Sequence, residues 1–184
     1  MLDNMKIIKI ILIILAVLIV IVLVVAAFLK KEYTVERDVT INKPKQEVFN
    51  YLVLLKNHNN FTTWASMDPK MKKEFKGTDG TVGFTSFWDS NMENVGKGEQ
   101  TISKITDGER IDYDLHFIKP FDGKAKACFE TTASGADQTK VRWVFEGKMN
   151  YPMNIICLFM NMDKRLGADL QTGLDNLKNI LEKQ

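Results

Sequence analysis

The sequence predicts an α+β protein: a curved antiparallel sheet wrapped around a long C-terminal helix, preceded by one transmembrane helix. Three observations carry this. Twenty consecutive residues, Ile10 to Leu29, are all Ile, Leu, Val, Ala or Phe. Between Tyr33 and Lys148, short segments alternate apolar and polar residues between turn signals, the period of half-buried strands. Beyond Pro152, apolar residues recur every three or four positions, the period of a helix with one buried face.

At about 1.5 Å per helical residue the first run reaches roughly 30 Å, the thickness of a bilayer's hydrocarbon core, so it reads as a single-pass membrane anchor. No polar side chain interrupts it, and nothing marks a proton relay or substrate path. A secretory leader is the competing reading, since Val24 and Ala26, or Val25 and Ala27, suit a peptidase. The run is longer than a leader's usual apolar core and ends in Lys30-Lys31, which favours an uncleaved anchor. Lys6 and Lys9 on one side balance Lys30 and Lys31 on the other, so the positive-inside rule assigns no orientation. The expected division is residues 1–31 as anchor and 32–184 as one domain large enough for a sizeable core.

The formal charge of +2 conceals an asymmetry. Residues 1–31 hold four lysines against Asp3, which leaves 21 basic and 22 acidic residues in the remainder. A nearly neutral domain lacks the footprint of a nucleic-acid binder, and the basic excess lies where lipid headgroups would be. Cys128 and Cys157 fit no zinc or redox spacing and read as small buried hydrophobes, with a disulfide as the alternative. His58 and His116 are the only histidines, so a multi-ligand metal site is not expected.

Tyr33 to Ile41 is a strand, with Tyr33, Val35, Val39 and Ile41 on one face; Arg37 interrupts that face and calls for an ion pair. Pro44 opens a helix carrying Val48, Phe49, Leu52 and Leu55. Asn57 to Asn60 breaks it, and Phe61, Trp64 and Met67 suggest one more turn or a compact loop. Met71 to Lys76 is a weak strand. Val82, Phe84, Ser86 and Trp88 form a clearer alternating face, followed by Gly96 to Ile105. Arg110 to Ile118 alternates most cleanly, with Ile111, Tyr113, Leu115 and Phe117 opposite Asp112, Asp114 and His116. Gly123 to Thr132 and Thr139 to Lys148 complete a meander, since parallel pairing would need crossover helices. One long helix then runs on from Pro152, with Phe159, Met162, Leu166, Leu170, Gly173, Leu177 and Leu181 on one stripe. Gly167 and Gly173 each cost about 1 kcal/mol relative to Ala there, so Gly173 on the stripe implies a close approach or a gap.

Tyr33-Thr34-Val35-Glu36-Arg37 after the anchor, Ile41-Asn42-Lys43-Pro44 and Val48-Phe49 resemble the start of bacterial START-related (SRPBCC superfamily) proteins of the polyketide cyclase/dehydrase and lipid-transport group. Trp64-Ala65-Ser66-Met67-Asp68-Pro69, Val82-Gly83 with Trp88, Gly96-Lys97-Gly98, Phe117-Ile118-Lys119-Pro120 and Tyr151-Pro152-Met153-Asn154 extend the resemblance over nearly the whole chain. Phe61 and Thr62-Thr63 stand where members often show Trp and Ser-Pro. The resemblance implies a helix-grip fold with a hydrophobic cavity between sheet and C-terminal helix. Phe84, Trp88, Tyr113, Leu115, Phe117, Phe129, Trp143 and Phe145 would then meet Phe159, Met162 and Leu166. Gln100, Tyr113 and the Trp143 indole would orient an apolar ligand. Any one of these aromatics also reads as plain core; Gly98, Ala125 and Ala127, small residues on the concave face, favour unfilled volume.

No nucleophile paired with a base stands out: there is no G-x-S-x-G, P-loop or H-E-x-x-H, and no cofactor motif. His116 on a polar face and His58 in an Asn-rich loop read as solvated. Asp163, among apolar residues, reads as the partner of Lys164, Arg165 or Arg37. The leading function is binding of a lipid or other hydrophobic small molecule beside the bilayer. The alternatives are a cyclase/dehydratase-type enzyme using Tyr113 or Gln100, and an interaction or stress-response domain with a filled core.

Overall fold

In this computed structural model the described residues are 4–183, and the Phe159 side chain lies outside what is described. The chain gathers into two compact units. One comprises the N-terminal stretch through Glu32 together with Met149–Asn161, and the other comprises Tyr33–Lys148 with Met162–Gln184.

The first unit is built on α1 (Asn4–Phe28), which is long and apolar enough to cross a bilayer. Almost all of its apolar residues are exposed. Ala26 is its one buried residue. A 3-10 turn (Met153–Ile155) and a short helix, α5 (Ile156–Phe159), complete this unit.

The second unit is a seven-stranded antiparallel sheet with α2 (Lys45–Val53), α3 (His58–Phe61), α4 (Thr63–Met67) and α6 (Met162–Leu181). Its strands are β1 (Glu32–Ile41), β2 (Lys72–Lys76), β3 (Thr85–Asp89), β4 (Lys97–Thr106), β5 (Arg110–Lys119), β6 (Gly123–Gly135) and β7 (Gln138–Lys148). The order β1-β7-β6-β5-β4-β3-β2 is a six-strand meander with β1 added beside the last strand. This is the α+β arrangement of curved sheet and long C-terminal helix that the alternating segments and final stripe predict. The alternation decides burial: Ile111 and Tyr113 are sealed while Asp114 between them and Leu115 is exposed. Leu170, Leu174, Leu177 and Leu181 form the sealed stripe of α6.

Two ties set α6 against the sheet. A Cβ at Gly173 would lie 2.9 Å from Cζ3 of Trp143, so the missing side chain admits the indole. Arg37 on β1 donates to both carboxylate oxygens of Asp163, at 2.9 and 3.1 Å, and to its main-chain carbonyl at 2.8 Å. Its guanidinium also fills the space a side chain at Gly167 would need. The break in the apolar face of β1 is therefore an ion pair, and the carboxyl of Asp163 is held below its ordinary range by Arg37.

Several sequence expectations are corrected. The helix expected from Pro152 is not continuous: Met160 is extended (φ −102°, ψ 112°), and a new helix starts with Asp163 in its first turn, where a carboxylate meets the helix dipole. Val82 is 60% exposed and precedes the strand, because Gly83 adopts φ +89° and turns the backbone. The Asn-rich stretch is helical, since the Asp79 carboxylate accepts from the main-chain N–H groups of Leu55 and Lys56 and tucks the chain inward. Cys128 is buried but Cys157 only half-buried, its thiol 3.4 Å from the Met149 sulfur; both are free.

Gly173→Val in α6 should overpack the Trp143 contact and destabilise the fold by about 1–3 kcal/mol. Denaturant unfolding of the full chain in detergent, with exposed Ala168→Val as reference, measures it; equal midpoints for the two variants would contradict the contact.

Candidate functional site

The strand register lays the concave face out in rows. Ile105, Ile111, Phe129 and Trp143 make one; Ile102, Tyr113, Ala127 and Phe145 the next; then Ser86, Gln100, Leu115, Ala125 and Gly147; and finally Trp88, Gly98, Phe117 and Gly123. Burial changes along this order. Ile111, Phe129, Trp143, Ile102, Tyr113, Ala127 and Phe145 are buried, and Ile105 at the edge of the first row is half-buried. Ser86, Gln100, Leu115, Ala125, Trp88, Phe117 and Gly123 are half-buried, whereas Gly98 and Gly147 are buried. On the facing helix, Met162 and Leu166 in the first turns of α6 are half-buried, whereas Leu170, Leu174 and Leu177 are sealed. The face is thus more tightly packed at one end than at the other, where Ser86 and Gln100 stand among apolar side chains.

An aromatic cluster fills the closed end. Phe129 and Trp143 lie 4.7 Å apart between ring centres, with Phe61 and Trp64 edge-on to Trp143. Phe84 sits in the same core, stacked on Phe75. At the open end Trp88 meets Phe117 edge-on at 5.9 Å, and its indole N–H donates to the Val95 carbonyl at 3.2 Å. Phe117 and Tyr33 both reach Phe145, linking the two ends. The expectation that Gly98 leaves unfilled volume is corrected: the Trp88 ring occupies that place, 2.6 Å from where a Cβ would stand. Gly147 likewise lies under the Tyr33 ring.

His58 is the functional-type residue the sequence misplaced. It is 6% exposed rather than solvated, with Nε2 donating to the Leu52 carbonyl at 3.0 Å and Tyr113 Oη 3.5 Å away. Edge-on contacts to Tyr113 and Phe129 complete its apolar setting. Burial lowers its pKa to about 4 and raises that of Tyr113 well above the ordinary phenol value, so both are neutral at pH 7. The Tyr113 hydroxyl, expected to orient a ligand, lies beside His58 inside the closed end.

The convex face carries charge instead. Arg110 pairs with Asp112 and Glu130, and Arg142 with Glu130 and Glu36. A depression of about 310 Å³ is lined by Lys104, Arg110, Asp112, Asp114, Lys126 and Glu146, together with Cys128 and Val144. Burial pushes the Cys128 thiol up to about 11, so it is no thiolate nucleophile at neutral pH. His116 contacts Asp122 and Glu99 and is one-third exposed. No group of three or more His, Cys, Asp or Glu side chains among the described residues could hold a metal ion.

No family model matches this chain, and neither does any curated protein. Solved structures share the fold. A protein of Chromobacterium violaceum is 14% identical over 81% of this chain and 96% of its own, with a TM-score of 0.57. DynU16, from the dynemicin biosynthetic locus, is 15% identical over 81% of this chain but 47% of its own, with a TM-score of 0.55. The Aha1 dimer of Colwellia psychrerythraea is 13% identical over 79% and 96%, with a TM-score of 0.51.

The buried His58 makes stability depend on pH. Its folded pKa, about 4, lies below the unfolded value of 6.5, so its contribution is complete above pH 6.5 and is lost as pH falls toward 4. Between pH 7 and 4.5 the fold should lose about 2–3 kcal/mol on this account. His58→Gln should flatten that part of the profile; an unchanged slope in denaturant titrations would show that the imidazole is not the group responsible.

Proposed function

We propose that the chain is a membrane-tethered, START-related domain that takes a lipid or other hydrophobic small molecule on its concave face, with α1 as its anchor. The graded burial of that face supports this reading most. Sealing both ends of the sheet would gain stability, so apolar side chains kept half-buried at one end favour a ligand there. Here Trp88, Leu115, Phe117 and Ala125 stay half-buried, as do Met162 and Leu166 of α6, while Phe129, Tyr113 and Trp143 are sealed. Gln100 and Ser86, side by side in the register at the open end, supply polar groups for the head of an otherwise apolar molecule. Each CH₂ such a molecule buries is worth about 0.8 kcal/mol, so an acyl chain of modest length would suffice for binding.

The full chain in nanodiscs, titrated with a dansylated undecanoic acid, should show saturable tryptophan-to-dansyl energy transfer beyond that of empty discs. Ala125→Phe places a ring in the half-open end and should weaken binding about tenfold or more, equivalent to about 1.4 kcal/mol. Transfer that never saturates, or an Ala125→Phe titration that overlays the parent, would remove the ligand site from this end of the face.

A further inference from the structure

The thirteen residues Met149–Asn161 contain no charged side chain, in a chain that is 26% Asp, Glu, Lys and Arg. Between strand β7 and helix α6, this stretch gathers with α1 rather than with the sheet. Three hydrogen bonds fasten it to the end of α1. The Asn154 side-chain amide donates to the carbonyls of Ala26, at 2.7 Å, and Leu29, at 3.2 Å, and the Met149 N–H donates to the Lys31 carbonyl at 2.8 Å. Carbonyls at a helix end lack the usual partner four residues on, the Ala26 carbonyl accepting only a 3.3 Å bond from the Leu29 N–H, and at the edge of a bilayer such groups are costly to leave poorly met. Asn154 is fully buried in meeting them. Its Oδ1 is also buried, with no partner among the described residues, so this side chain is placed for its two donated bonds.

We infer that Met149–Asn161 is a second membrane contact, a wedge at the boundary between lipid headgroups and acyl chains, fastened to the anchor through Asn154. The inference rests on α1 crossing the bilayer, as in the proposed function. At 25 residues α1 is about 37 Å long, against roughly 30 Å of hydrocarbon, so its ends reach the headgroup level. A segment bonded to residues 26, 29 and 31 shares that depth. Its outward side chains suit it: Tyr151, Met153 and Leu158 are 46%, 47% and 55% exposed, next to Phe28 at 87%. Tyrosine favours the headgroup level, Met and Leu the acyl boundary just beneath, and the exposed Lys30 and Lys31 meet lipid phosphates.

The test uses the full chain, with both native cysteines replaced by alanine, in vesicles of three parts phosphatidylcholine to one part phosphatidylglycerol. An environment-sensitive NBD probe is attached at Leu158→Cys or Val17→Cys, and lipids spin-labelled at shallow or deep acyl positions serve as quenchers. Deep quenching at position 17 with shallow quenching at 158 supports the wedge. Deep quenching at 17 with a water-exposed probe at 158 overturns the wedge and leaves the anchor standing. A probe at 158 that is blue-shifted but immune to lipid quenchers is covered by protein, and also overturns it. Absence of quenching at 17 removes the anchor, and with it the wedge. Asn154→Ala should reduce quenching at 158 at least twofold while position 17 is unchanged; equal quenching would overturn the fastening through Asn154.

Discussion

Trp143 lying over the backbone of α6 at Gly173 is the contact from which the rest of the sheet-and-helix unit follows. It sets how closely the helix approaches the concave face, and that separation decides which rows of side chains are crushed together and which keep contact with water. Phe129 and Phe61 pack onto the same indole, and through them His58 and Tyr113 are enclosed. Arg37 and Asp163 pin the first turn of the helix to β1. That pair is exposed enough to add little stability by itself; with the carboxylate two-thirds exposed, its role is to fix where the helix begins.

A face packed this tightly at one end can remain half-open at the other only if the open end has some other use, or if the fold tolerates the loss. The second alternative is modest in energy but not free: each half-buried aromatic forgoes part of the roughly 1.5–3 kcal/mol that full burial provides. Trp88 on β3 and Leu115 and Phe117 on β5, on either side of β4, all forgo it. The charged network of the convex face has no comparable selectivity. Its cations and carboxylates largely neutralise one another, which suits a solvated surface better than recognition.

Much of this architecture is legible in the chain because strand alternation and helical spacing are local signals. Arg110 to Ile118 could hardly pair any other way, and Gly173 on an apolar stripe announces a close neighbour. The misreadings are tertiary in origin. His58 stands in a polar run, and its burial depends on Asp79, some twenty residues away, capping the backbone beside it. Spacing also runs unbroken through Met160, so the stripe hides the point where one helix stops and another starts. For the site, the facing direction of Trp88, Gln100, Leu115 and Phe117 follows from alternation, but their degree of exposure does not, because exposure depends on which rings cross from the adjacent strand. Trp88 over Gly98 is such a crossing: a small residue reads as space, and its neighbour decides whether the space exists.

Ala26 and Asn154 bear on whether the N-terminal helix is an interchangeable part. A generic tether could be replaced by any apolar stretch of sufficient length, since lipid solvates Leu, Ile and Val almost alike. This helix carries a small buried residue, Ala26, two positions before its end, and that residue's carbonyl is met by a side chain 128 positions away. A substitute ending in a bulky residue at position 26 would keep the membrane address yet leave Asn154 with a buried amide and nothing to donate to, at a cost of about 1–3 kcal/mol. The apolar helix is therefore a matched component, and a replacement that respects hydropathy alone would leave its loop unseated.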